Sequence, residues 1–131
     1  YKSLKMKKYI LIILISFPIL SFSQKKDYKT YDKIVDLIEE GNLDKAKKLT
    51  LKLIDKSEGW NQAHLLMSNI YFKEGDISES SNSFLSAYPE NEIKSALPIF
   101  LMGEKYFEAS YYEYAQKFFI VSNNLLTENK N

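Results

Sequence analysis

Cysteine and arginine are both missing from this 131-residue chain, and histidine and tryptophan occur once each. Without cysteine there is no disulfide, so an exported form of the chain would be held by its core alone. A lipid-modified cysteine anchor is excluded for the same reason. One histidine with no cysteine makes no metal-ligand set, because zinc-type sites need several convergent nitrogen or sulfur donors. The serines at 78, 80, 81, 83 and 86 lie in neither a G-x-S-x-G nor an S-x-x-K pattern, so no nucleophile-base constellation can be built around His64. They are expected to cap a helix or to lie on its solvated face. Nothing selects a catalytic pair among the 17 acids. The expectation is therefore no enzyme, no catalytic residue, no cofactor and no metal.

What the chain does have is apolar and aromatic material. Hydrophobic residues make up 45% of it and aromatics 15%, with ten Tyr and eight Phe, which is ample for one packed domain and rules against wholesale disorder. The N-terminus has a separate character. From Met6, Lys7 and Lys8 lead into an apolar run, Tyr9 to Leu20, that ends in Ser21-Phe22-Ser23. A charged start, a short apolar stretch and small residues at the exit are the parts of a cleavable secretory signal. A retained membrane helix needs roughly 20 apolar residues, and this run is shorter and is broken by Ser16 and Pro18. The expectation is upstream read-through over 1–5, a helical signal peptide over 6–23 and a mature domain over 24–131, in the periplasm or secreted. Four of the 18 lysines precede the cut and all the acids follow it. The mature part thus carries 14 lysines against 17 acids, a net −3. No basic footprint for nucleic acid remains, and no membrane association is expected after cleavage.

The mature part repeats itself. A shift of 34 carries Leu37 to Tyr71, Gly41 to Gly75, Leu43 to Ile77, Ala46 to Ser80 and Thr50 to Phe84. A shift of 35 then carries Tyr71, Ile77, Ser80, Phe84 and Ala87 to Tyr106, Tyr112, Ala115, Phe119 and Ser122, with Ser68 moving to Gly103. The extra residue falls in "YPENEIKS", where Pro89 breaks the periodicity. Three units follow, 27–60, 61–95 and 96–129. Each reads as two helices with a tight turn between them. Gly75 suits a left-handed helix C-cap, where a Cβ would be strained, and Asp76 or Ser78 can accept from the first free N–H groups of the next helix. Pro98 is tolerable only in a first helical turn.

At these residues the chain resembles the tetratricopeptide repeat, whose 34-residue signature is W-x2-L-G-x2-Y…A-x3-F…P. The copy "MGEKYFEASYYEYAQKFF" carries Met102, Gly103, Tyr106, Ala115 and Phe119 at the signature spacing. The middle copy keeps Tyr71, Phe84 and Ala87. The first keeps Ala46, with Lys33 and Thr50 where large apolar residues belong. No copy has the terminal proline, and His64 stands where the signature has tryptophan.

The resemblance implies an all-α right-handed solenoid of three helix-turn-helix units. It also implies that the first helix of each unit lines a concave groove for protein or peptide partners. Carried onto this sequence, that groove takes Tyr28, Tyr31, Val35 and Ile38 from the first unit. The second supplies Leu65, Asn69, Phe72 and Lys73, and the third Leu97, Phe100, Glu104, Phe107 and Glu108. Such a surface is a partner site if open, or a packing surface if the chain covers it. Solenoids need a polar cap over the last unit, and "TENKN" after "FFIVSNNLL" is too short for a capping helix. A fragment, or a last unit that docks on something else, is therefore expected. Signal and repeats together look like the N-terminal part of Bacteroidetes-type envelope proteins, some of which carry repeats ahead of a peptidoglycan-binding OmpA-like domain. The resulting expectation is a periplasmic scaffold that binds other envelope proteins. The alternatives are an accessory region of a larger envelope enzyme or a cell-wall-binding protein.

Overall fold

The computed structural model describes residues 26–88 and 92–128. The expected read-through and signal peptide, and the proline at 89, lie outside those residues. The described chain is all-helical: α1 (Tyr28–Glu39), α2 (Leu43–Lys56), α3 (Asn61–Glu74), α4 (Ile77–Ser86), a 3-10 turn (Ile93–Ser95), α5 (Ala96–Glu108) and α6 (Tyr112–Glu128).

The helix starts follow from local chemistry. Asp27 caps α1 through its carboxylate, which accepts the Thr30 N–H at 3.0 Å and the Thr30 hydroxyl at 2.6 Å. These bonds favour the ionised form and hold the Asp27 carboxyl below its ordinary pKa. Asp76, rather than Ser78, does the same for α4, accepting from the Glu79 N–H. Pro98 stands in the first turn of α5, where its missing N–H would have no helical acceptor anyway.

Three turns share one set of hydrogen bonds. The N–H groups of Asn42, Asp76 and Tyr111 donate back to the carbonyls of Leu37, Tyr71 and Tyr106 at 2.9, 2.9 and 2.8 Å. These are the long bonds that close a helix around a left-handed residue. That residue is Gly41 (φ +79°), Gly75 (φ +82°) and Ser110 (φ +67°). The spacings are the 34 and 35 residues of the sequence repeat, and the third copy uses serine where the backbone prefers glycine.

Small residues sit where paired helices touch. A Cβ added to Gly103 would lie 2.8 Å from Cε1 of Phe119 and 3.2 Å from Cβ of Phe118, so glycine sets how closely α5 and α6 approach. Ser68, the same position in α3, donates its hydroxyl to the Ser80 carbonyl of α4 at 2.8 Å.

Two apolar clusters form the interior. The first joins α1, α2 and one face of α3, around Ile34, Ala46, Leu53, Trp60, Ala63 and Ile70. The second joins α4, α5 and α6 around Phe84, Ile99, Met102, Tyr106, Phe118 and Leu125, with Leu65 and Phe72 of α3 packed against it. Helix α3 is therefore apolar on two faces and links the clusters. Trp60, four residues ahead of the position where the repeat signature has tryptophan, is buried at the start of α3, with the rings of Tyr28 and Tyr31 at 5.2 and 5.6 Å.

Candidate functional site

The residues assigned by resemblance to the partner groove are not equally accessible. On α1, Tyr28 is exposed but rests edge-on against Trp60, and Tyr31 and Val35 are half-buried against the first cluster. Ile38, expected on the groove, is instead buried in that cluster, because α2 and α3 close over the end of α1. On α3, Leu65 and Phe72 are half-buried against the second cluster. Asn69 is half-buried, and Lys73 is exposed. The Phe72 ring meets those of Tyr106 and Tyr111 at 5.9 and 6.2 Å, and Lys105 places its Nζ 4.4 Å from the Phe72 centroid. Burial is the main cause of a lowered Lys105 pKa, and the charge of Lys73 adds to it.

On α5 the situation reverses. Leu97, Phe100 and Phe107 are 65, 42 and 55% exposed, and Glu104 and Glu108 face solvent. Phe100, Glu104, Phe107, Glu108 and Phe119 line a hollow of about 240 Å³. A larger one, about 560 Å³, is lined by Phe107, Tyr112, Ala115, Gln116, Phe119, Ile120 and Asn123. Phe107 and Phe119 belong to both, so the hollows form one apolar surface across the free side of α5 and α6. The α6 residues were not among those expected. A signal for them existed: a shift of 35 carries the buried Ile77 and Phe84 of α4 to Tyr112 and Phe119, over which no further described helix packs.

The serines of α4 also differ from expectation. Ser80 and Ser81 are fully buried, not solvated. The Ser80 hydroxyl lies 2.9 Å from the Tyr106 hydroxyl and 3.3 Å from that of Ser68, giving a polar thread through α3, α4 and α5. Burial is the principal reason the Tyr106 phenol is pushed up to about 12, with the Ser80 hydrogen bond acting the other way. Ser81 Oγ has no hydrogen-bond partner among the described residues. It borders a polar hollow of about 310 Å³ with Ser78, Asn82, Glu113, Tyr114 and Lys117. Among the described residues no group of three His, Cys, Asp or Glu could hold a metal ion, and no helix is long and apolar enough to cross a membrane. His64 is half-buried on α3.

Comparison of the chain with protein-family models, with curated proteins and with solved structures gives no match. The arrangement offers a solvent-facing aromatic and aliphatic surface with carboxylates on one rim. Burying such a surface is favourable by about 25 cal/mol for each Å² of apolar area removed from water.

Proposed function

We propose that this protein is a tetratricopeptide-type scaffold, three helix pairs stacked as a right-handed solenoid, that binds another protein and performs no chemistry itself. The single observation carrying this reading is the contiguous exposed apolar surface around Phe100, Phe107, Tyr112 and Ile120. Monomeric proteins rarely leave such patches uncovered without a partner. The three turns with the same hydrogen bonds at 34- and 35-residue spacing support the repeat assignment. The charged-then-apolar start of the sequence supports export to the periplasm or beyond.

The binding surface in this reading is the C-terminal third of the groove together with its continuation onto α6. Leu65 and Phe72 support it from within the second cluster, whereas Tyr28, Tyr31 and Val35 pack on the first. The test is capture of partners from an envelope extract, comparing wild type with a Phe100→Ala/Phe107→Ala/Ile120→Ala variant of unchanged circular dichroism. Loss of specific protein partners is expected. An unchanged partner set in the folded variant refutes the surface, and retention on cell-wall material alone assigns it to glycan binding instead.

A further inference from the structure

The free side of α5 and α6 corresponds to a surface that the protein itself fills twice. Helix α3 closes over α1 and α2, and α5 closes over α3 and α4. The repeat offsets carry Ile38 of the first joint to Phe72 of the second and Phe107 of the free face. In the first joint Ile38 is buried in one cluster with Ile70 of the entering helix. In the second, Phe72 receives Lys105, which is Ile70 shifted by 35, at 4.4 Å from its centroid. Phe107 is 55% exposed, and no described helix enters over it.

The charges beside that position change from joint to joint. The residues flanking Phe72 on α3 are Asn69 and Lys73, and the Lys73 ammonium opposes the cation of Lys105. Their counterparts around Phe107 are Glu104 and Glu108, neither of which is ion-paired to a described residue. A cation over Phe107 would thus have an aromatic face beneath it and two carboxylates beside it, where Lys105 has an amide and a like charge. Cation–aromatic contact is attractive and strengthens as the pair is desolvated.

A second difference concerns the hydroxyl thread. Ser80, which bonds the Tyr106 hydroxyl at 2.9 Å, becomes Ala115 on the free face. A tyrosine entering there would have no such partner for its hydroxyl, so phenylalanine fits better at that position.

We propose that the α5–α6 face receives a basic amphipathic helix of a partner protein, seated as α5 is seated on α3 and α4, with its lysine or arginine over Phe107 between Glu104 and Glu108. This deepens the scaffold reading and rests on it. The chain's own α1 does not meet the requirement. The residues through which α3 enters the first cluster are Ala63, Leu66 and Ile70. In α1 these positions are Lys29, Asp32 and Asp36, all exposed, and Asp36 would meet the two glutamates. Head-to-tail stacking of copies is therefore disfavoured by charge as well as by the absence of an apolar stripe.

The test uses the full chain, isotope-labelled, and a side-chain-stapled peptide with the α5 sequence 95–109 carrying Glu104→Gln, Tyr106→Phe and Glu108→Lys, which makes it basic and keeps Lys105 in place. Amide shifts are followed on titration. Saturable shifts confined to the surroundings of Phe107, Tyr112 and Ile120 are expected. Peptide Lys105→Glu, or Glu104→Gln/Glu108→Gln in the protein, should weaken binding about tenfold. The proposal is overturned by no saturable shift up to about 1 mM peptide, or by shifts confined to α1 and α3. Equal affinity of the charge-reversed peptide overturns it too, as does peptide-independent self-association through Phe107, which would make a second copy the occupant. Should the peptide fail while partner capture still depends on Phe107, the scaffold reading stands and the helical partner does not.

Discussion

Replacing Tyr106 by phenylalanine removes one oxygen from the middle of the molecule and leaves its shape almost unchanged. The Tyr106 side chain is fully buried, and its hydroxyl meets Ser80 Oγ at 2.9 Å. A net hydrogen bond of this kind contributes about 0.5 to 1.5 kcal/mol. Ser80 retains a neighbour, since Ser68 Oγ lies 3.3 Å away, so the larger penalty of an orphaned buried hydroxyl is partly avoided. The expected loss at neutral pH is about 1 kcal/mol. The same oxygen titrates, which supplies a second signature. The folded-state phenol is pushed up to about 12, against about 10 in an unfolded chain. A raised folded pKa gives stability that is fully present below pH of about 10 and is lost as pH rises through about 12. That loss is roughly 3 kcal/mol in wild type and absent in Tyr106→Phe. Urea unfolding followed by far-UV circular dichroism at pH 7 and across the alkaline range should therefore show wild type more stable at neutrality. The gap should close and then reverse at high pH. Adding Ser80→Ala in a double-mutant cycle isolates the pair, with a coupling of about 1 kcal/mol expected. Equal stabilities at pH 7 with a pH-independent difference refute the reasoning.

Ser110→Gly should stabilise the protein by about 0.5 to 1 kcal/mol in the same unfolding assay, because Ser110 holds φ +67° where Gly41 and Gly75 stand in the other turns. Gly75→Ala should destabilise by about 1 kcal/mol through backbone strain alone, since its added Cβ would meet nothing within 4 Å. Gly103→Ala should lower the melting temperature although alanine is the better helix former. Overpacking costs about 1 to 3 kcal/mol, against a propensity gain of about 1, and the Cβ of Phe118 at 3.2 Å belongs to the helix-helix contact itself. Glu74→Ala should cost no more than about 1 kcal/mol, with the effect reduced in high salt, because its 2.6 Å pair with Lys47 is partly exposed.

Much of the backbone plan was legible because it depends on residues with a sharp physical role. Glycines at 41 and 75 mark left-handed turns, Asp76 announces a helix start, and Gly103 and Ala115 mark a close crossing. The side chains that depart from expectation are those whose role is set by a distant neighbour. Ser80 and Ser81 look like a solvated helix face. Ser80 is buried because Tyr106, 26 residues away, supplies a partner for its hydroxyl. Lys105, of which the sequence pattern says nothing, is half-buried over the ring of Phe72. Ile38 shares the spacing of the exposed groove positions, but α2 and α3 close over it. Local pattern cannot tell a helix face covered by the next pair from the same face left open. That distinction is what separates Phe72 from Phe107.

In the proposed function, partners engage the exposed face of α5 and α6. The most direct measurement of this is site-specific photo-crosslinking in living cells, with a photoreactive phenylalanine analogue placed at Phe107, at Ile120 and, as control, at the exposed Lys33 of α1. Crosslinks to a discrete protein are expected from positions 107 and 120 and none from 33. Crosslinking from 33 alone, or no adduct from 107 and 120 in the folded protein, would contradict it.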